Sequence, residues 1–255
     1  MKYTLITGAS SGLGRETAIY LSESRNLILN ARNIERLEET KSLCKSTSDI
    51  ILWPYDLSLI NDLELNFVEF IKNIRLERSI EIEFEAFVHC AGVMKMLPLR
   101  SLSLNSLNEV YAVNVFVPCM IVKILASKKF NGKNLNSVVF ISSNISDRGA
   151  AAFCAYGSSK SALDGLMRNL AVELAPSVRV NSILPGGMRT AMTADIFGDI
   201  NIASEFNKNY PLGIGTPADI VPAVEFLLSE KARWITGQQI VIDGGRTINI
   251  TERKA

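Results

Sequence analysis

The sequence holds a single histidine, His89, and four cysteines, Cys44, Cys90, Cys119 and Cys154, at spacings that match no zinc motif. A histidine-based triad and a multi-histidine metal site are thereby excluded, and no metal site is expected. No apolar run reaches the roughly eighteen residues of an ordinary membrane span. Charge of one sign is not in excess either. With 27 basic and 26 acidic residues the formal net charge is +1, which offers no footprint for nucleic acid or an anionic membrane. The opening Met1-Lys2-Tyr3-Thr4-Leu5-Ile6-Thr7-Gly8 is too short an apolar stretch for a signal peptide and reads as a first strand. A cytoplasmic protein with reduced thiols is expected. Linkers rich in proline, glycine or serine and internal repeats are also missing, so the 255 residues are read as one domain.

What is present is an alternation of short apolar runs with helical patterns, the signature of repeated βαβ units. The expected fold is α/β: a single-domain, Rossmann-like, doubly wound sheet of about seven parallel strands with helices on both faces. Strands are expected near Tyr3 to Thr7, Leu27 to Ala31, Ile50 to Tyr55, Ala86 to Cys90, Ser137 to Ser142, Arg179 to Leu184 and Gln239 to Ile242. Helices are expected near 13–24, 34–46, 59–74, 103–129, 154–175 and 217–229. The acidic stretch Glu77 to Glu85 is either a charged helix end or an extended piece. Residues 191–215, after Pro185-Gly186-Gly187, favour no single regular element and are expected to form a substrate lid.

Two patterns carry chemistry. Between the first strand and the first helix, Gly8, Gly12 and Gly14 permit turns that side chains obstruct and let backbone N–H groups approach a pyrophosphate at a helix amino end. The second strand ends without the carboxylate that an NAD site uses on a ribose hydroxyl. Arg32 stands there instead, suited to a 2'-phosphate, so NADP is expected over NAD. Asp56, past the third strand, either accepts from the adenine amino group or caps the next helix. The second pattern is Tyr156 and Lys160, four apart and therefore on one helix face. A cation beside a phenol favours phenolate, drawing its pKa down from about 10 toward the range useful for proton transfer. His89, before Ala91-Gly92, is expected to be packed or cofactor-adjacent rather than catalytic.

These elements occur in one order: Thr7-Gly8-x3-Gly12-x-Gly14, Cys90-Ala91-Gly92, Asn114, Ser143, Tyr156-x3-Lys160, Asn181, Pro185-Gly186 with Thr190, and Asp243-Gly244-Gly245. The chain thereby resembles a classical short-chain dehydrogenase/reductase from Lys2 to about Thr247. It departs at His89-Cys90, where the family often has two asparagines. The resemblance implies an NADP(H)-dependent oxidoreductase interconverting a carbonyl and a secondary alcohol. Tyr156 would be the general acid or base. Ser143 would donate to the reacting oxygen, and Lys160 would lower the tyrosine pKa and bond the nicotinamide ribose. Asn114, at a helix distortion, would hold a water in a relay to Lys160. The implied cofactor contacts are Gly8, Ser10, Ser11, Gly12, Leu13, Gly14, Arg32, Asp56, Leu57, Cys90, Ala91, Gly92, Tyr156, Lys160, Pro185, Gly186 and Thr190, the last bonding the carboxamide.

The substrate lining is expected from Met94, Lys95, Met96, Asn144, Ile145, Arg148, Met188 and the 191–210 excursion. It suits a 3-oxoacyl thioester or a sugar or nucleotide-sugar hydroxyl, while Asp195, Asp199 and Glu205 weaken steering of an anion. Ala162, Leu163, Leu166, Met167, Leu170, Ala171 and Leu174 form a broad apolar stripe. Pairing through this helix into a homodimer or homotetramer is expected. Two other functions remain open: a dinucleotide-binding regulator without catalysis, and an epimerase or dehydratase with transient cofactor reduction. Chain length argues against the last.

Overall fold

The computed structural model describes residues 1–194, 204 and 206–250. Seven strands form one sheet: β1 (Lys2–Thr7), β2 (Asn26–Ala31), β3 (Ile50–Pro54), β4 (Glu83–His89), β5 (Ser137–Ile141), β6 (Arg179–Pro185) and β7 (Gln239–Ile242). The order is β3-β2-β1-β4-β5-β6-β7 and every pairing is parallel. Chain order reverses between β1 and β4, which leaves a crevice beyond their carboxyl ends, where such folds place ligands.

The central strands are largely apolar because both of their faces are covered. In β5, Val138 and Phe140 join one buried cluster and Val139 and Ile141 the other, as the alternation of side chains across a strand requires. The first cluster takes Phe67 and Ile71 of α3 (Leu63–Arg78), Val117 and Ile121 of α5 (Val117–Leu125), and Leu163 and Met167 of α7 (Cys154–Glu173). The second takes Ala18 of α1 (Gly12–Leu21), Leu37 of α2 (Ile34–Leu43), and Val224 of α8 (Val221–Leu228).

Three sequence expectations change. First, β4 starts at Glu83, and Glu77 to Glu85 divides between the end of α3 and this strand. Phe84 is buried, and Glu85 pairs with Arg25 at 2.7 Å where the register to β1 slips. Second, the helix expected over 103–129 is α4 (Leu104–Tyr111), a π turn (Ala112–Phe116), α5 and the short α6 (Lys128–Asn131). By composition Leu104–Leu125 is long and apolar enough to cross a bilayer. Its Val110, Val117, Ile121, Val122 and Leu125 are buried against the protein's own core. Third, Cys154, which like the other cysteines reads in the sequence as a small core or lining residue, is exposed at the start of α7. Of the expected lid, Ala191–Thr193 form a 3-10 turn. Residues 195–203 and 205, with Asp195, Asp199 and Glu205, lie outside the described residues.

The π turn has a sequence cause. Val117 N–H bonds the carbonyl of Ala112, and Pro118, next along, has no N–H to give. The Val113 carbonyl is left without a backbone donor, and His89 Nε2 supplies one at 3.1 Å. His89 Nδ1 meets Thr7 Oγ1 at 2.8 Å, so the ring bridges β1, β4 and the π turn. Burial drives its pKa down to about 3. It is therefore a neutral structural link at physiological pH.

Candidate active site

A cavity of about 940 Å³ runs along the carboxyl ends of the strands. Gly8, at the end of β1 with φ +69°, sits so close to the next strand's exit that a Cβ would lie 2.7 Å from Ala91 N. A Cβ on Gly14 would lie 2.2 Å from the Gly8 carbonyl oxygen. These contacts fold the turn tightly onto the amino end of α1. Ser11 makes no side-chain cap there, and no acid stands in the first turn. The leading N–H groups and the helix dipole are thus left for an anion. Ser10, Ser11, Gly12, Leu13, Cys90, Ala91 and Gly92 line this part of the cavity, and Pro185, Gly186 and Thr190 form the opposite wall. Thr190 Cβ is 3.5 Å from where a Cβ on Gly12 would stand. The expected cofactor residues therefore meet around one groove, whose shape and donors fit a dinucleotide diphosphate.

At the β2–β3 end the cavity is lined by Arg32, Asp56 and Leu57. Arg32 reaches Asp56 only at 3.9 Å, with its side chain 78% exposed, a weak surface pair that leaves the guanidinium available. Asp56 Oδ1 accepts from Ser58 N at 2.9 Å, so the carboxylate closes the turn after β3. Asn30, which the sequence reading did not single out, is buried here. Its Nδ2 donates to the carbonyls of Trp53 and Tyr55, each at 3.1 Å, while Oδ1 has no partner among the described residues.

At the β5 end, α7 brings Tyr156 and Lys160 to the cavity wall beside Ser143. Lys160 Nζ lies over the Tyr156 ring, 5.8 Å from its centroid, and donates to the Ile141 carbonyl at 2.8 Å. Desolvation lowers the ammonium pKa to about 8, opposed by the nearby Asp164 carboxylate. The phenol itself is pushed upward by burial, with a hydrogen bond from Ser143 pulling against that rise. The expectation of a phenol made acidic by Lys160 is thus corrected for the protein alone. The cation is directed at a carbonyl across the ring face, and burial of Tyr156 outweighs the opposing contact.

Asn114 lies in the π turn. Its Oδ1 accepts from Val93 N at 2.8 Å, and its Nδ2 donates to Val93 O at 3.0 Å and Ser159 Oγ at 2.9 Å. The side chain therefore fixes the strand exit against α7. A Cβ on Gly92 would be 3.5 Å from Asn114 Oδ1 and 3.7 Å from Lys160 Nζ, so the three residues are packed together. Ser159, overlooked in the sequence, is the anchor on the α7 side. Cys90 is held neutral by burial, its thiol pKa pushed up to about 12. Asn181 ties β6 to the segment before β7 through Ile235 O at 2.9 Å and Gln238 N at 3.0 Å.

Asp164 is buried one helical turn beyond Lys160, with Ser142 Oγ donating to Oδ2 at 3.0 Å and Oδ1 unpartnered among the described residues. Its charge favours the ammonium form of Lys160. Asp164→Asn should therefore lower the Lys160 pKa from about 8, and with it the high-pH limb of the turnover expected of this site. The sign follows because losing a neighbouring anion makes protonated lysine less stable. A kcat–pH profile checks it, and an unmoved limb would count against Lys160 as the group that titrates.

Beyond Ser143 the expected lining of Met94, Met96, Asn144, Ile145, Arg148 and Met188 is present. Lys95 is absent from the lining and pairs with Glu109. Phe153, Met192, Phe206, Tyr210 and Arg246 complete this end.

A family model described as enoyl-(acyl carrier protein) reductase matches residues 8–247. The uncharacterized oxidoreductase YciK of Escherichia coli (strain K12) is 32% identical over 251 residues, 97% of this chain and 94% of YciK. L-xylulose reductase of Caenorhabditis elegans is 31% identical over 252 residues, 97% of this chain and 96% of that enzyme. Among solved structures, 4-hydroxyisoleucine dehydrogenase complexed with NADH superposes with a TM-score of 0.86 at 30% identity, covering 98% of this chain and 100% of the other.

Proposed function

As a member of the classical short-chain dehydrogenase/reductase family, the chain is an oxidoreductase of alcohols and carbonyls that uses a nicotinamide dinucleotide, and we propose that it works with NADP(H), Tyr156 exchanging the proton. The observation that carries the reading is the convergence of Ser143, Tyr156 and Lys160 on the groove that the glycine turn opens. When bound, the cofactor supplies or accepts hydride at the nicotinamide ring. Residues Gly8 to Gly14, Arg32, Gly92, Lys160, Pro185, Gly186 and Thr190 would hold it.

In the reductive direction Tyr156 gives its hydroxyl proton to the carbonyl oxygen, and Ser143 donates a hydrogen bond to the same atom as charge develops. A phenol whose pKa is held up by burial keeps its proton until that moment. Lys160, charged below about 8, then stabilises the phenolate that remains. Asn114 keeps the π turn and the α7 face in register, and we assign to this turn the water relay that reprotonates the site through Lys160. Steady loss of reduced-cofactor absorbance with a carbonyl substrate tests the whole reading. Substrate conversion without net cofactor change would indicate an epimerase or dehydratase instead.

Arg32 supports the preference for NADP(H), since its exposed guanidinium has only a loose carboxylate contact and no acid stands at the end of β2. Arg32→Ala should weaken NADPH binding by roughly 10- to 100-fold, the loss expected for one charge-assisted hydrogen bond. NADH affinity should change little. Fluorescence titration of both cofactors checks this, and an equal loss for the two would remove the 2'-phosphate from the account. Pairing of subunits belongs to the same proposal. Leu166 and Leu170 on α7 and Leu174 at its end remain only partly buried and Val172 is 81% exposed, an apolar surface suited to a second copy.

A further inference from the structure

We propose that the carbonyl substrate carries an anionic group, a carboxylate or a phosphate, held by Arg148 and Arg246 at the β7 end of the cavity. The inference rests on the oxidoreductase reading above and names the substrate class for the same site. Both arginines line the cavity. Arg148 ends the 3-10 turn Asn144–Asp147 that begins at Ser143, and its Nη2 donates to the carbonyl of Thr247. Arg246 is the residue before Thr247, half-buried in the turn that follows β7. Arg246 lines the chamber together with Tyr210, whose pKa burial raises and the arginine's charge opposes. The two loops therefore bring two guanidinium groups to one end of the site.

Neither guanidinium has an ion-pair partner among the described residues. The carboxylate built into the same turn, Asp243, is committed to backbone and amide donors: Thr247 N at 2.7 Å, Gly245 N at 3.1 Å and Asn144 Nδ2 at 3.2 Å. Around them the chamber is lined by Met94, Met96, Ile145, Phe153, Met188 and Met192. Arg148 is exposed, but Arg246 is half-buried, and a cation in such surroundings is costly until a counter-charge arrives; guanidinium forks match the oxygens of carboxylate and phosphate.

The cofactor's own phosphates are poorly placed to be that counter-charge. In the sheet order Arg246 follows β7, four strands from β1 and five from β2. At about 4.8 Å per strand these separations are roughly 19 and 24 Å. Ser143 follows β5, only two strands away, about 10 Å by the same spacing. An anion a few bonds from the reacting carbonyl covers part of that gap, and the long side chains of Arg148 and Arg246 cover the rest.

The test compares matched pairs with NADPH: acetoacetate against acetoacetamide, levulinate against levulinamide, and dihydroxyacetone phosphate against dihydroxyacetone. The protein should favour the anionic member of at least one pair by about 100-fold in kcat/KM, and the pair that responds separates carboxylate from phosphate. Arg148→Gln and Arg246→Gln should each cut that preference by about 10-fold or more. Lys95→Gln, whose native side chain is held by Glu109, should leave the preference as it was. Equal rates within every pair, or variants that slow both members alike, would overturn the clamp. Calorimetry of acetoacetate, levulinate and dihydroxyacetone phosphate with the NADPH complex of Tyr156→Phe gives a readout free of turnover. Binding lost in Arg246→Gln supports the clamp. Absence of any anion binding defeats it, and continued reduction of the uncharged ketones would leave the oxidoreductase reading standing.

Discussion

Tyr156→Phe should lower kcat/KM for carbonyl reduction by about a thousandfold while leaving cofactor affinity within a few-fold of the parent, the scale of a lost general acid. Among the described residues the neighbouring groups are poorly suited to take over direct donation of the proton. His89 is neutral and bound at both ring nitrogens, to Thr7 and the Val113 carbonyl. Lys160 Nζ donates a hydrogen bond to Ile141 O and lies across the Tyr156 ring face, and the Cys90 thiol is held far above its usual pKa. Ser143 accepts from Ile145 N at 3.3 Å and is an alcohol with no base beside it. Phenylalanine keeps the ring that packs edge-on to Phe153 at 6.1 Å, so the cavity wall should survive. Following absorbance of reduced cofactor in parallel with a cofactor titration separates the two effects. Turnover retained near the parent rate would take Tyr156 out of the chemistry.

Gly14→Ala should abolish useful dinucleotide binding, raising Kd by at least about 100-fold. The methyl carbon would stand 2.2 Å from Gly8 O, 2.7 Å from Gly8 C and 3.2 Å from Ala9 N, all backbone atoms. No side-chain rotation relieves such a clash, so the turn must move off the helix. Its displacement carries away the N–H groups of the α1 amino end, and with them the donors for a diphosphate. Overpacking of this kind costs about 1–3 kcal/mol of stability. Thermal melting together with cofactor titration checks both consequences. A variant that binds NADPH normally would show that the diphosphate is held elsewhere.

The parts legible in the sequence are those that local pattern dictates. The continuous apolar run Val138 to Ile141 fits a strand covered on two faces, and the glycine turn could be located between a strand and a helix from the sequence. Tyr156 and Lys160 were legible as neighbours on α7, but spacing does not say what an ammonium touches. The Ile141 carbonyl comes from a different element, and with it the corrected sign of the phenol shift. The role of His89 required knowing that Pro118 leaves the Val113 carbonyl unpaired, a relation across distant segments for which the proline was the available signal. Asn30, Ser159 and Asp164 act through backbone and side chains brought together only by packing. The start of β4 was hidden because Glu83 and Glu85 read as charge, although acid alternating with buried Phe84 is the pattern of a half-covered strand.

The sheet order has an evolutionary corollary. The proposed diphosphate and 2'-phosphate contacts follow β1 and β2, with further proposed cofactor contacts after β4 and β6, whereas the loops after β5 and β7 line the chamber proposed for the reacting molecule. Residues separated by about 20 Å of rigid sheet contribute to stability almost additively. Drift in the turn after β7 leaves the glycine turn after β1 undisturbed, so a lineage with this topology can exchange its metabolite while keeping the cradle for its redox partner.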